Sequence, residues 1–309
     1  MTKAFVILNP VAGSSQPEGL RETLKRRFAE AGQVCELHET TGEERIVDVV
    51  RQALNRGFDL VIAAGGDGTV SGAADGLAHA GVPLGIIPVG TGNALARDLG
   101  IPVHVDEALD LLLTEHTVRR IDALQVGDRF FVLNVGVGAS AKILRDTESD
   151  SKRRFGRLAY LWNVMDKLFG LKRHRFSLTL DGEEKRLRAT EVLVLNSGAI
   201  GSPYLHWGAH VQADDGQVRV YVLRPRAVLD YFSIAWNLLL GQRHEDPNVR
   251  TFDAEQRIVI RADRRLAVQG DGEVIGHTPV EVRVAPSAVQ VIMPRTEKTT
   301  DSSLEAQEE

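Results

Sequence analysis

The feature that most constrains this chain is a pair of glycine-rich turns, each following a short apolar segment, within residues 59–93. The first turn is Gly65-Gly66-Asp67-Gly68-Thr69, and the second is Pro88-Val89-Gly90-Thr91-Gly92-Asn93. We predict that each apolar segment is a buried strand and that each turn opens a helix. In a parallel sheet both turns lie at the carboxyl ends of their strands, which is the edge where α/β proteins bind ligands.

The order of the predicted elements indicates two domains. From Lys3 to Glu115 strands alternate with helices, a pattern typical of an α/β domain with a mainly parallel sheet. After Val118 strands dominate, one of them at Phe130–Val135, which predicts a β-rich antiparallel domain of sandwich or barrel-like form. We place the domains at residues 1–122 and 123–294, with the last strand a candidate to return to the first domain. Residues 295–309 form an acidic tail that we expect to be disordered.

Composition narrows the functional classes. Of 309 residues, 43% are hydrophobic and 26% charged, as in ordinary globular proteins. No apolar run approaches the ~20 residues of a membrane span, so we expect no transmembrane segment. The start lacks a signal-peptide cleavage site and Cys35 is the only cysteine, which predicts a cytoplasmic protein without disulfides. The net charge of −5 gives no general attraction to nucleic acid.

The first glycine turn has the properties of a phosphate-binding loop, although it matches neither the P-loop nor the Rossmann motif. Glycines let backbone amides approach phosphate oxygens, and the next helix presents its positive end. Asp67 would repel a phosphate unless a divalent cation bridges them or the carboxylate binds a hydroxyl. Because no P-loop lysine is present, Mg²⁺ would supply much of the charge neutralisation. The plainer alternative is a tight turn with Asp67 as helix cap.

Polar residues follow other strands at the same predicted edge. Thr91 and Asn93 bring a hydroxyl and an amide to the second turn. Asn9 ends the first strand, and Thr40 follows the second. Each alone is an ordinary cap or turn residue. Four strand ends that converge on one edge nevertheless favour a phosphate-binding site.

Four motifs, in their order and spacing, carry a family resemblance. They are Asn9-Pro10…Gly13, the two glycine turns and the late Gly270-Asp271-Gly272-Glu273. Together, across the stretch from Lys3 to Pro294, they resemble the catalytic fold of the diacylglycerol kinases. That group includes bacterial soluble lipid kinases and the sphingosine and ceramide kinases, and it is distantly similar to NAD kinases. The first glycine turn alone would not separate a lipid kinase from a NAD kinase.

The resemblance implies a kinase that uses ATP and Mg²⁺ to phosphorylate a lipid hydroxyl, with diacylglycerol as the default acceptor. It assigns Asp67, Asp271 and Glu273 to catalysis. Asp271 and Glu273 match the motif that carries the proton acceptor, and on an extended strand they would face the same way. Which of the two takes the proton stays open. The residues assigned to ATP are Asn9, Thr40, Gly65, Gly66, Asp67, Gly68, Thr69, Thr91 and Asn93.

The resemblance also implies a structural Mg²⁺ site in the loop Asp214-Asp215-Gly216. Asp215 would be the side-chain ligand, with the carbonyls of Gln212 and Gln217 helping. Asp122, which the resemblance also assigns to the metal-binding residues, matches an acid of the carboxylate network around the family's cleft. Without the resemblance, these residues would be a plain turn and a strand-edge surface residue.

Two positions depart from the bacterial pattern. Ala94 follows Asn93 where these kinases usually have aspartate, which is closer to the sphingosine kinases. Ser140 stands where both branches tend to carry an aspartate that contacts the lipid head group. Its absence argues against a cationic sphingoid acceptor.

Membrane contact is expected of a kinase that acts on a bilayer lipid. Eight basic residues and one acid lie between Lys152 and Arg175, so this segment is a candidate for peripheral contact with an anionic surface. The alternative is a solvated helix, near Phe155–Phe169, that covers the second domain. We expect the apolar stretch Val228–Leu240 to be a buried helix that lines an acyl slot. The resemblance also allows a homodimer.

Two other functions are alternatives. One is a NAD-kinase-like enzyme with a soluble acceptor, against which the Asn9-Pro10…Gly13 start and the second glycine turn argue. The other is a nucleotide-binding or lipid-binding protein without catalysis, which Ala94 and Ser140 favour. The retained acids Asp67, Asp122, Asp271 and Glu273 argue against it.

Overall fold

The computed structural model describes residues 3–12, 17–114, 116–148, 172–202, 205–206, 212–239 and 246–295. The predicted tail from residue 296 onward, the basic residues 152–171 and the predicted helix near Phe155–Phe169 lie outside these ranges. Within them, no helix combines the length and apolar character that crossing a membrane requires.

The first half of the chain builds a parallel sheet with helices on its faces. The strands are β1 (Lys3–Leu8), β2 (Val34–Glu39), β3 (Leu60–Gly65) and β4 (Leu84–Pro88); the helices are α1 (Pro17–Glu30), α2 (Ile46–Asn55), α3 (Asp67–Leu77), α4 (Ala94–Asp98) and α5 (Val105–Leu113). The strand order is β2-β1-β3-β4, and each neighbouring pair is parallel. Strands β1, β3 and β4 are buried almost throughout, as expected of strands covered on both faces.

The same sheet continues with strands from residue 117 onward. Its further strands are β5 (Thr117–Val126), β6 (Arg129–Phe131), β8 (His174–Leu180), β9 (Glu183–Ala189), β15 (Arg257–Ala262) and β18 (Val280–Met293). Strand β18 lies parallel to β4 through Val291 and Leu84, and it pairs antiparallel with β5 and β15. The chain's last strand therefore borders the parallel part of the sheet.

A second, antiparallel sheet is built only from strands that follow β6 in the described part of the chain. Its order is β14 (Val249–Ala254), β13 (Val218–Leu223), β10 (Glu191–Leu195), β7 (Asn134–Gly138), β16 (Ala267–Gly270) and β17 (Glu273–His277). The remaining described elements are α6 (Ala139–Glu148), α7 (Val228–Leu239) and a small pair of strands, β11 (Ala199–Ser202) and β12 (Leu205–His206). Buried residues of β7, β10 and β13 pack with those of β8, β15 and β18 in one cluster, which joins the two sheets as a sandwich.

The predicted fold class is confirmed: a mainly parallel α/β part is followed by an antiparallel β-rich part. The predicted strand Phe130–Val135 is wrong in detail, because the chain leaves the strand between β6 and β7. Helix α7 forms as expected and buries Ile234, but the expectation that the whole segment is buried is wrong. Leu229 and Trp236 are 75% and 62% exposed. The domain boundary at residue 122 stays a prediction.

Candidate active site

The first glycine turn ends β3 and begins α3. Helix α3 has Gly66 as its N-cap and no side-chain capping bond, so Asp67 does not cap its own helix. Gly65 leaves no room for a side chain, because a Cβ there would lie 2.4 Å from Thr69 Oγ1. Asn9 donates from Nδ2 to the same Thr69 oxygen at 3.3 Å. This hydrogen bond links Asn9, at the end of β1, to the first glycine turn.

The two glycine turns touch backbone to backbone. A Cβ on Gly90 would lie 2.5 Å from Gly66 Cα, so the approach requires glycine at this point. Asp67 Oδ1 accepts a hydrogen bond from the backbone N–H of Ala94 at 2.5 Å, where α4 begins. Asp67 therefore caps the helix of the neighbouring unit, and the two turns form one rigid edge.

Asn93 shapes the second turn. Its φ of 50° is left-handed, and its Nδ2 donates to the carbonyl of Gly90 at 2.9 Å. Its Oδ1 is buried and has no hydrogen-bond partner among the described residues. A buried acceptor without a donor costs about 1–3 kcal/mol, so this atom requires a donor from outside the described residues, such as a water molecule.

The turns open onto a pocket of about 510 Å³, a volume within the usual range for small-molecule sites. Gly65, Asp67 and Asn93 are not on its wall and act instead in forming the turns. The structure brings the other predicted nucleotide-binding residues together there, along with one predicted catalytic acid. These wall residues are Asn9, Thr40, Gly66, Gly68, Thr69, Thr91 and Glu273.

Asp271 lies in the tight turn between β16 and β17, with a φ of 47°. The residue is partly exposed as a whole, but its carboxylate is enclosed. It accepts hydrogen bonds from the hydroxyl of Ser71 and from the backbone amides of residues 132–134, the latter at 2.8–3.0 Å. Desolvation raises the pKa of Asp271 above its usual range, although these donors oppose the rise. Because these three amides bind Asp271, the strand conformation is interrupted between β6 and β7.

Glu273 starts β17 on the far side of that turn, so the expectation that Asp271 and Glu273 share one extended strand and one direction is wrong. The Glu273 side chain is 60% exposed and lines the pocket. Arg129 donates from Nη2 to Glu273 Oε2 at 2.9 Å. Of the two late acids, only Glu273 faces the space that the glycine turns border.

Arg129 and Asp75 are site residues that the sequence reasoning missed. Arg129 Nε lies 3.3 Å from Asp75 Oδ2, and Asp75 also accepts from the backbone N–H of Phe130 at 2.9 Å. Asp75 is only 4% exposed, on the inner side of α3. The sequence does contain a signal for Asp75, which directly follows the apolar residues Ala73-Ala74. An acid among apolar residues is rarely buried without a partner, so this position predicts a partner for the Asp75 carboxylate. No local pattern marks Arg129.

The predicted cation loop lies beside Asp122. The Asp122 carboxylate accepts from the backbone amides of Gly216 and Ser287, each at 2.7 Å, and the residue is buried. Asp215 is exposed and accepts from the amide of Gln217 at 2.9 Å. The carboxylate of Asp215 and the carbonyls of Gln212 and Gln217 are oxygen donors of the kind that suits Mg²⁺. No group of three acidic, histidine or cysteine side chains occurs within the described ranges, and Asp122 acts as support for the loop.

Ser140, the second position that departs from the bacterial pattern, forms hydrogen bonds with Glu191. Its amide and its hydroxyl donate to the two Glu191 carboxylate oxygens at 2.9 and 2.5 Å. Glu191 is 2% exposed, and burial raises its pKa from 4.5 to about 7 although the Ser140 bonds oppose this. An acid is therefore present at the start of α6, but it comes from β10.

Comparison with known families agrees with this geometry. Residues 3–126 match the diacylglycerol kinase catalytic domain. Residues 133–293 match the YegS C-terminal NAD kinase beta sandwich-like domain.

Individual relatives span nearly the whole chain. A diacylglycerol kinase from Bacillus subtilis is 28% identical over 302 residues, which are 96% of this chain and 97% of that protein. An uncharacterized protein from Synechocystis is 26% identical over 304 residues, 94% of this chain and 70% of that one. The crystal structure of a diacylglycerol kinase from Bacillus anthracis superposes with a TM-score of 0.77 at 25% identity, covering 94% of this chain and 96% of that one. This chain therefore belongs to the diacylglycerol kinase catalytic-domain family and carries that family's YegS-type C-terminal domain.

Proposed function

We propose that this protein is an ATP-dependent and Mg²⁺-dependent lipid kinase that transfers the γ-phosphate to the hydroxyl of a diacylglycerol-like acceptor. The observation that carries the proposal is the placement of Glu273 on the wall of the same pocket as the glycine turns. A carboxylate beside a phosphate-binding edge is the arrangement that phosphoryl transfer to an alcohol needs. The activity named for the Bacillus subtilis relative agrees with it.

The two turns are the residues that would hold ATP. Gly66 and Gly68 expose backbone at the start of α3, where the helix dipole favours an anion. Thr40, Thr91 and Asn9 add hydroxyl and amide groups on the pocket wall. When bound, Mg²⁺ would neutralise charge on the phosphates. Asp67 is the one carboxylate within the sequences of the two glycine turns. The close contact of Gly66 with Gly90 keeps this edge rigid.

Glu273 is the residue we assign as proton acceptor. Its carboxylate is largely exposed to the pocket and forms an ion pair with Arg129. The carboxylate of Asp271 is saturated by four donors, so it has no free lone pair directed at a substrate hydroxyl. Asp271 therefore contributes to catalysis by fixing the hairpin on which Glu273 stands. Asp67 contributes by joining the two turns.

A lipid acceptor implies contact with a membrane surface, and we propose a cytoplasmic protein that associates with the membrane transiently. We propose the Asp215 loop as a structural Mg²⁺ site. The carboxylate of Asp122 supports this loop by accepting the backbone N–H of Gly216. Loss of a cation there would loosen the loop without removing a catalytic group.

The decisive experiment measures transfer of radiolabelled γ-phosphate from Mg²⁺-ATP. Detergent-dispersed diacylglycerol, monoacylglycerol, sphingosine, ceramide and undecaprenol are compared with NAD. We expect a labelled lipid, and a Glu273→Gln variant that loses about 10²–10⁴-fold in kcat while binding ATP normally. Glu18→Gln, an exposed substitution on α1, is the matched control. Labelling of NAD alone would establish the NAD-kinase-like alternative, and ATP binding without transfer would establish the silent binder.

A further inference from the structure

One end of the β-rich part carries a cluster of arginines that the proposed kinase site does not use. Arg173, Arg226 and Arg250 are exposed, and Arg224 is partly buried. Partial burial lowers the pKa of Arg224, and the charges of Arg250, Arg173 and Arg226 lower it further. The geometry agrees: Arg173 Nη2 donates to the carbonyl of Arg188 at 3.1 Å, two residues before Thr190, and the Thr190 backbone N–H binds the carbonyl of Leu223 next to Arg224. The four arginines therefore form one positively charged surface.

The fold explains how these arginines meet. Arg224 follows β13 and donates its backbone N–H to Asn248 at 2.7 Å. Arg250 lies on the neighbouring strand β14, opposite Val222. The Arg224 Nε is buried and has no hydrogen-bond partner among the residues described. Like charges held together cost free energy that a bound anion would recover.

Asp230 lies four residues after Arg226, but its carboxylate already has a structural role. It accepts from the backbone amides of Arg226 and Ala227 at 2.6 and 2.9 Å, which caps α7. These bonds fix the start of the helix at the edge of the arginine cluster.

Helix α7 adds two large apolar side chains to this surface. Leu229 and Trp236 are 75% and 62% exposed, and their spacing of two helical turns places them on one face. The helix is held in place by Ile234, which is buried, and by Asn237, which donates to the buried carboxylate of Asp246 at 2.9 Å. A fixed helix that directs tryptophan and leucine outward beside arginines has the composition of a membrane-interface helix.

A basic pocket continues the positive surface. It has a volume of about 340 Å³ and is lined by Lys142, Lys172, His174, Arg264 and Arg265. Thr190, on the same wall, donates its backbone N–H to the carbonyl of Leu223 at 2.9 Å, directly before Arg224. The pocket and the arginine cluster therefore adjoin. Their charge contrasts with the net charge of −5 for the whole chain.

We propose that this end of the molecule docks onto an anionic lipid bilayer, with the arginine cluster binding lipid head groups and Leu229 and Trp236 entering the interface. The inference deepens the proposed function, on which it rests for the identity of the partner. It names a surface distinct from the nucleotide pocket. Lys172 and Arg173, the described end of the basic segment 152–175, belong to the same surface.

Vesicle co-sedimentation tests the docking surface, with vesicles of phosphatidylcholine alone and with added phosphatidylglycerol. We expect binding only to the anionic vesicles. Arg226→Glu/Arg250→Glu should lose at least about 25-fold in partitioning, since each basic residue near an anionic surface contributes about fivefold. Leu229→Ala/Trp236→Ala should lose about tenfold. Lys25→Glu/Arg51→Glu, with the same charge change on exposed residues of α1 and α2, is the matched control and should bind like wild type.

Phosphate transfer to detergent-dispersed acceptor separates this proposal from the proposed function. The docking variants should keep wild-type turnover in detergent, and their melting temperatures verify that they fold. Wild-type protein that binds anionic vesicles without transferring phosphate would refute the kinase and leave the docking surface standing. An active kinase whose docking variants sediment like wild type would refute the docking surface. Binding of an oligonucleotide but not of vesicles through these arginines would also refute it.

Discussion

Ser71, on the helix that follows the first glycine turn, donates a hydrogen bond to the carboxylate of Asp271, 200 residues later in the chain. Three consecutive backbone amides, residues 132–134, complete the shell around that carboxylate. The contact attaches the hairpin that carries Glu273 to the helix whose amino end borders the pocket. One buried carboxylate thus sets the separation between the proposed proton acceptor and the phosphate-binding edge.

Removal of the Ser71 hydroxyl should weaken both stability and turnover. We expect Ser71→Ala to lower the free energy of unfolding by about 1–3 kcal/mol, because a hydrogen bond to a desolvated carboxylate is lost. The value of kcat should fall while the KM for ATP stays unchanged, since the turns remain intact. Urea unfolding and steady-state kinetics measure the two effects. Ser177→Ala, which removes a surface bond to Glu184, should stay within about 0.5 kcal/mol of wild type. Equal effects of both substitutions would contradict the role of Asp271 as an anchor.

Arg129 should matter for catalysis although no motif marks it. Arg129→Met would leave the Asp75 carboxylate buried with one amide donor and would release Glu273. We expect a loss of about 1–3 kcal/mol in unfolding free energy and a kcat reduced by at least about tenfold. Arg257→Met, which breaks the exposed pair with Glu281, is the control and should cost less than about 1 kcal/mol. Unchanged kcat in Arg129→Met would show that Glu273 needs no positioning partner.

Glu191 should make stability depend on pH. Its pKa is about 7 in the folded protein against an ordinary 4.5, so the folded state binds this proton more tightly. Its contribution is fully present below about pH 4.5 and is lost as pH rises through about 7, a change of up to about 3 kcal/mol. Urea unfolding at about pH 5 and about pH 8 should therefore show a larger decrease for wild type than for Glu191→Gln. Glu18→Gln, fully on the surface, should keep the wild-type decrease. An identical decrease in all three proteins would exclude Glu191 as the source.

The contact between the glycine turns should not tolerate one methyl group. Gly90→Ala places a Cβ 2.5 Å from Gly66 Cα, so the turns must separate. We expect the stabilisation of the protein by Mg²⁺-ATP, measured as a shift in melting temperature, to disappear. Gly19→Ala in α1, where a Cβ meets nothing within 4 Å, should instead raise stability by about 0.5–1 kcal/mol and leave the ATP shift intact. A normal ATP shift in Gly90→Ala would exclude the turns as the nucleotide site.

The parts of the fold that the sequence predicts are those specified locally. Apolar strands, glycine turns and helix periodicity lie within short windows, and the rules for parallel sheets then bring Asn9, Thr40 and both turns to one edge. Strand β9 does not follow from its own sequence, because Glu-Glu-Lys-Arg-Leu-Arg-Ala is mostly charged, as an edge strand can be. Its strand conformation depends on pairing with β8.

The parts that could not be predicted depend on contacts between distant residues. The break between β6 and β7 exists because the amides of residues 132–134 bind Asp271, and nothing within the segment itself requires it. The same holds for Arg129, whose two acidic partners lie 54 and 144 residues away. The motif containing Asp271 and Glu273 indicated that two acids matter, but their different roles follow from a turn that directs one inward and the other to the pocket.

The pairing of β18 with β4 has a consequence for synthesis of the protein. Until Val291 has left the ribosome, β4 is paired only with β3 and its other edge is open, although strands β1 to β4 have already been made. Exposed edges of this kind promote pairing between chains. The nascent chain must therefore keep this edge of the sheet open through most of translation, until its partner strand β18 has been released.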